Sequence, residues 1–339
     1  MKIDLRSDTV TKPTPAMLAA MFSAEVGDDV FEEDPTIIQL EEKAARMFGM
    51  EAAIFCPSGT MTNQIAIRVH TCPGDEVICD RTAHVYNYEG GGIAVNSGSS
   101  VRLLLGDRGR FTASDVLENI NPDNIHHPVT KLVVVENTSN KGGGSTWDFE
   151  EIEKIGRVCS ENNLKYHLDG ARVFNAMVKN NETALQYGKV FDSISICLSK
   201  GLGAPVGSLL IGDRLFIKQA RRVRKVLGGG MRQAGYLAAA GIHALDHHIG
   251  RLAEDHRRAA EIAKMVEKLP FVIEILPVET NIMVFRLDNA MPSDTFLKKL
   301  AEKNVLAVGF GKQTIRMVTH LGFGDAHLEE FEKIIRAAF

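Results

Sequence analysis

The chain is predicted to fold as an α/β protein, with a large, doubly wound, mostly parallel sheet followed by a smaller α+β lobe. Three observations predict it. Six short apolar runs, 52–56, 77–79, 132–135, 166–168, 194–198 and 208–211, recur with helical segments such as 149–159 between them, which is the rhythm of strands buried on both faces. The cluster Gly228-Gly229-Gly230 interrupts that rhythm and leads into an Ala-rich helical stretch, 233–245, and a long amphipathic one, 250–268, that reads as an interdomain helix. Beyond it lie three more apolar runs, 272–276, 282–285 and 315–318, with helical patterns at 295–303 and 327–338. The clearest single helix opens at Asp34-Pro35, a capping aspartate before a first-turn proline. It carries Ile38, Leu40 or Glu41, Ala45 and Phe48 to a stop at Gly49. The expected division is residues 1–249 for the large domain and 250–339 for the small one.

Composition sets the bounds. With 339 residues, 45% hydrophobic and 24% charged, the chain has ample apolar material for a large core. Lys and Arg number 39 against 43 Asp and Glu, and no block of one sign runs along the chain, so nothing asks for nucleic acid or an anionic membrane. The opening residues Met1 to Asp8 are charged rather than apolar, and no apolar run is long enough to span a bilayer. Five cysteines, with no C-x-x-C among them, read as reduced thiols of a cytoplasmic protein. There is no internal repeat.

Candidate chemistry gathers where strands end. Lys200, in Ser195-Ile196-Cys197-Leu198-Ser199-Lys200-Gly201, follows a buried strand and is flanked by glycine, so a bulky ligand can approach; partial desolvation there would free an amine for Schiff-base chemistry. Taken alone, a lysine at a strand end is more often a solvated charge. Asp169, in His167-Leu168-Asp169-Gly170-Ala171-Arg172, closes the preceding strand, and ligands of open α/β sheets bind outside such carboxyl ends. It suits pairing with a pyridinium nitrogen, although, taken by itself, capping the next helix accounts for it about equally well. Ser58-Gly59-Thr60 links a strand to a helix start, where free N–H groups bind phosphate; helix capping alone also accounts for Ser58 and Thr60. The order phosphate cup, ring aspartate, lysine favours a cofactor. His84 follows the strand at 77–79 and is placed to stack on a ring and move protons, against the ordinary role of a structural loop histidine. Arg316 is a charge among apolar strand neighbours, which calls for a ligand or a carboxylate.

These segments resemble the low-specificity L-threonine aldolase family over nearly the whole chain. The motifs are Leu5-Arg6-Ser7-Asp8-Thr9-Val10-Thr11, Val26-Gly27-Asp28-Asp29-Val30, Ser58-Gly59-Thr60-Met61, Ala83-His84, Asp169-Gly170-Ala171-Arg172, Cys197-Leu198-Ser199-Lys200-Gly201-Leu202, Gly228-Gly229-Gly230-Met231-Arg232-Gln233 and Arg316-Met317-Val318-Thr319-His320. The resemblance implies an aspartate-aminotransferase-like fold, the fold type I of pyridoxal 5'-phosphate (PLP) enzymes, with residues 1–15 an arm at the active site. It implies retro-aldol cleavage of L-threonine or L-allo-threonine to glycine and acetaldehyde. It further implies a Schiff base on Lys200, Asp169 on the ring nitrogen, His84 on the ring face, and phosphate binding by Ser58, Gly59, Thr60 and a neighbouring subunit's Arg232. Ser7, Arg172 and Arg316 would bind the substrate carboxylate, Arg172 bordering the cofactor as well, and His126 would sit near the hydroxyl. His84, or a water held with His126, would be the base. The implied assembly is a homotetramer, a dimer of dimers with sites at subunit interfaces. One departure is Ser139, where many similar sequences carry histidine.

Two rival classes remain to be weighed. The same lysine and aspartate would serve an aminotransferase or a β-eliminating lyase. A nucleotide-binding oxidoreductase fits poorly, because Gly201-x-Gly203-x-x-x-Gly207 leads into a strand where its fingerprint needs a helix. No metal is expected, since His126-His127 and His247-His248 lack ligand spacing.

Overall fold

The computed structural model describes residues 1–339. A seven-stranded sheet runs through the first two thirds of the chain, in the spatial order Ala52–Cys56, Ser208–Gly212, Ser193–Cys197, Lys165–Gly170, Thr130–Glu136, Glu76–Asp80 and Ser100–Leu104. Ser208–Gly212 is antiparallel to both its neighbours and every other pairing is parallel. All six predicted runs are strands of this sheet, buried on both faces because helices cover them. The seventh, Ser100–Leu104, lies at the sheet edge with only Leu104 buried, so it carries no continuous apolar run to betray it.

Local chemistry sets the helix boundaries. Asp34 caps Pro35–Phe48, its Oδ1 accepting from the N–H groups of Thr36 and Ile37 at 3.1 Å each, and Gly49 ends the helix with φ of 65°. The inward face is Ile37, Leu40, Ala44 and Phe48; Ile38, expected on that face, points to solvent instead. Helices Pro15–Phe22, Val173–Asn180, Ala184–Val190 and Arg214–Val226 were not anticipated. Three of them are two turns or so, too short to show a periodic face.

A second sheet, antiparallel and four-stranded, is ordered Val308–Gly311, Thr314–Val318, Ile282–Leu287, Val272–Ile275. Helices Leu252–Val266, Ser293–Glu302 and Asp325–Ala338 pack with it around Phe285, Phe296 and Phe331, each buried. The helix Leu252–Val266 links the two cores, since Leu252 belongs to the first and Ile262 and Val266 to the second. So does the start of the chain: Ile3–Asp4 pairs in parallel with Val305–Leu306, and Ile3 and Leu5 are fully buried in the second core. From there the chain passes straight to Ser7 and Asp8.

Candidate active site

Six parallel strand ends and the start of Ser208–Gly212 share one edge of the large sheet. Register sets Asp169 beside Glu136 and Ser195, and Cys197 beside Ser208, which in turn pairs with Cys56. The loop after Cys197 carries Lys200, half-buried, with Nζ 3.4 Å from Cys197 Sγ. Asp169 is buried; its Oδ1 accepts from the Ala171 N–H at 3.2 Å while Oδ2 is buried with no partner. It does not cap the next helix, which begins after Arg172 without a side-chain cap. Ser58 does cap Gly59–His70, its Oγ accepting from the Met61 N–H at 3.2 Å, which leaves the first-turn N–H groups of Gly59 and Thr60 without helical partners. A methyl group on Gly59 would come within 2.5 Å of Cys197 Sγ, so the turn can approach the strand end this closely only with glycine.

On the other side of Asp169 stands His84, which opens the short helix His84–Asn87, with its ring tilted against Tyr88 at 5.6 Å. Two carboxylates that no motif had singled out hold it. Glu89, fully buried, meets His84 Nδ1 at 2.9 Å. Glu136 accepts from the His84 backbone N–H at 2.8 Å through Oε2 and from the Asn140 N–H at 2.9 Å through Oε1. Burial, reinforced by the charge of Asp169, pushes the Glu136 carboxyl up to about 7. For His84, burial opposes protonation, but the hydrogen bond to Glu89 and the charges of Asp169, Glu89 and Glu136 outweigh it and raise the imidazole above its ordinary value.

Two arginines line the approach. Arg172 is buried and bound in a fork to Asp8, Nε to Oδ2 and Nη2 to Oδ1, both at 2.8 Å. Burial alone would raise Asp8; the Arg172 guanidinium overrides it and brings the carboxyl down to about 2. Arg316 has no carboxylate partner at all. Its Nη1 donates to Asn140 Oδ1 at 2.8 Å, its Nη2 to the Arg6 carbonyl at 3.0 Å, and its Nε is buried and unpaired. Burial, with the neighbouring charge of Arg172, lowers it to about 10. Ser7 stands next to this pair through the chain, its Oγ accepting from the Thr9 N–H at 3.2 Å.

Lys200, Asp169, His84, Arg172 and Arg316 thus share one neighbourhood, with Ser58, Gly59 and Thr60 at its rim. His126 and Arg232 do not join it. His126 is exposed on the loop before Thr130, at the amino end of its strand, and so lies across the sheet from this site. The expectation of His126 near the hydroxyl is therefore not met within the chain's own site. Arg232 is half-exposed and ion-paired to Asp28 at 2.9 Å. Ser139 is buried, with Oγ accepting from the Gly142 N–H at 3.2 Å and packed against Gly109, which leaves no room for a histidine ring in this arrangement.

The donor set fits PLP. A ring N–H answers the orphaned Asp169 Oδ2, whose burial without a partner is otherwise costly. The free N–H groups at Gly59 and Thr60 answer a phosphate. Lys200, without a carboxylate partner, answers an aldehyde. Fold and site together define a PLP-dependent enzyme of fold type I.

Comparison with known proteins narrows the class. The family model described as beta-eliminating lyase matches residues 4–290, and the chain belongs to that family. It is 43% identical to the low specificity L-threonine aldolase of Escherichia coli K12, over 97% of this chain and 96% of that one. It is 40% identical to the probable low-specificity L-threonine aldolase 2 of Arabidopsis thaliana, over 99% and 98%. Among solved structures, a Leishmania major threonine aldolase superposes with a TM-score of 0.86 at 21% identity, covering 99% of this chain and all of that one.

Proposed function

We propose that the protein cleaves L-threonine or L-allo-threonine, and related β-hydroxy-α-amino acids, to glycine and an aldehyde, acetaldehyde in the case of threonine. Identity to threonine aldolases along the full chain supports the reaction class. The observation that carries the chemistry is His84, an imidazole with a raised pKa, tied to a buried carboxylate beside the unpartnered oxygen of Asp169.

When bound, PLP supplies a protonated ring that accepts the electron pair of the Cα–Cβ bond. Lys200 anchors it, Asp169 holds the ring proton, and Ser58, Gly59 and Thr60 take the phosphate. Arg316, with Ser7 and the remaining Nη1 of Arg172, clamps the substrate carboxylate and so fixes which bond breaks. His84 Nε2, directly or through a water, takes the β-hydroxyl proton as the aldehyde leaves, and a proton returned to Cα completes glycine. In a homotetramer Arg232 would reach the phosphate in a neighbouring subunit's site; it is half-exposed in the single chain. Residues 1–249 would form the cofactor-binding domain and 250–339 the small one. All five cysteines are free, which agrees with a reducing cytoplasm.

The test is to supply the purified protein with PLP and each diastereomer of threonine, following acetaldehyde with alcohol dehydrogenase and glycine by chromatography. Equal amounts of both products are expected. Pyruvate from serine, or a keto acid from threonine, without acetaldehyde would replace retro-aldol cleavage by elimination or transamination.

A further inference from the structure

A line of buried polar groups leads away from His84 beneath the helix Gly59–His70. Glu89 Oε1, which meets His84 Nδ1 at 2.9 Å, also receives Asn63 Nδ2 at 2.9 Å, while Oε2 receives Gln64 Nε2 at 2.6 Å. The far end of the Asn63 amide, Oδ1, faces His167 Nε2 at 3.2 Å and Ser195 Oγ at 2.5 Å. His167 Nδ1 lies 2.8 Å from Ser193 Oγ, and Ser193 Oγ lies 2.7 Å from His70 Nε2. Asn63, Glu89, His167, Ser193 and Ser195 are all buried.

Donor and acceptor chemistry allows this line one polarity. The Asn63 NH₂ must face the carboxylate, so its carbonyl oxygen faces His167 and requires Nε2–H there. Burial pushes both His167 and His70 down to about 3, so each is neutral with a single N–H. His167 Nδ1 is then a bare nitrogen, the Ser193 hydroxyl must donate to it, and the Ser193 oxygen must accept from His70 Nε2–H. Every N–H and O–H on the line is directed toward the site, and the line ends on Glu89, which acts only as an acceptor. His84 must therefore present Nδ1–H to Glu89.

We propose that Glu89 is a positioning residue that holds neutral His84 in its Nδ1–H tautomer, leaving Nε2 as the basic nitrogen, and that the line from His70 to Asn63 fixes the donor that orients Glu89. This deepens the functional reading given above and rests on it for its catalytic meaning only. The groups that face His84 are Glu89 at Nδ1, the charges of Asp169 and Glu136, and the Tyr88 ring; of these, Glu89 is the one bonded to the imidazole. The hydrogen bond that one ring nitrogen makes to such an acceptor determines which imidazole nitrogen carries the proton.

Solid-state nitrogen-15 NMR of the histidine-labelled holoenzyme tests it, with the His84 signals assigned by their loss in His84→Asn and the pH raised until His84 is neutral. The expected spectrum shows His84 Nδ1 protonated and Nε2 bare. Glu89→Leu, which removes the acceptor, should move the proton to Nε2 and lower kcat/KM by roughly 10²-fold; Glu89→Asp, which restores a carboxylate, should recover part of both. A wild-type His84 with Nε2–H, or a Glu89→Leu enzyme with an unchanged tautomer, overturns the inference, and the wild-type spectrum decides even if Glu89→Leu does not fold. Since the tautomer is read without substrate, absence of acetaldehyde would count against the aldolase reading and not against this one.

Discussion

A half-buried guanidinium that has no carboxylate of its own is poised for one brought by a ligand, and Arg316 is in that position. Arg316→Lys keeps the charge but loses the fork, and is expected to raise KM for threonine at least tenfold, about 1.4 kcal/mol, with a smaller change in kcat; steady-state kinetics check it. Because burial, with Arg172, has lowered Arg316 to about 10, KM should also climb as the pH passes through that value. Glu136 gives a prediction on stability. Its folded pKa, about 7, lies above the ordinary 4.5, so its contribution is fully present below pH 4.5 and is lost as the pH rises through 7. Urea unfolding of the cofactor-free protein should show this decline, and Glu136→Gln should flatten it. Lys200, Asp169 and His84 were legible in the sequence because each follows an apolar run that ends at the ligand-binding edge. Glu89 and Glu136 were not, because Glu136 reaches Asp169 only through strand register and Glu89 reaches His84 only through the turn after a four-residue helix.

At the scale of single elements, caps and strand ends do most of the positioning. Asp34 caps Pro35–Phe48 and also accepts the buried Gly235 N–H at 2.8 Å, which fastens this helix to the start of Gly235–His247. Asp34→Ala removes a cap and strands a buried donor, so a loss of about 2–4 kcal/mol is expected in denaturant unfolding; a loss within 0.5 kcal/mol would mean the helix is held by packing alone. Asp34-Pro35 and Gly49 were readable because the cap, the proline and the stop are each local signals. Ser100–Leu104 was not, since an edge strand with one buried residue has the same composition as a loop. The inward choice of Ile37 over Ile38 was less plain: both positions are isoleucine, and the structure buries the one that shares a face with Leu40, Ala44 and Phe48.

For the whole molecule, the chain's first residues join the lobes to the site. Leu5 is fully buried in the small-lobe core, its carbonyl accepts from the Val318 N–H at 2.9 Å, and the next residue's carbonyl holds Arg316. Two residues further, Asp8 holds Arg172. Leu5→Ala is expected to cost about 2–5 kcal/mol in stability and to raise KM more than it lowers kcat, because it loosens both arginines together. The two-lobed architecture was legible in the switch of rhythm after Gly230. The attachment of residue 3 to residue 305 was not, since nothing local records a pairing between the two ends of a chain. His126 and Arg232 belong to this scale too: each was implied by the family resemblance, and each lies outside the chain's own site. Whether Lys200 and Asp169 hold PLP for cleavage of a β-hydroxy amino acid is tested by the visible spectrum of the purified protein with PLP, before and after L-threonine, for the wild type and Lys200→Ala. A bound-cofactor band is expected in the wild type, altered by threonine with release of acetaldehyde and displaced or lost in Lys200→Ala; a wild type that takes up no PLP, or a Lys200→Ala protein with the wild-type band and turnover, would overturn these roles.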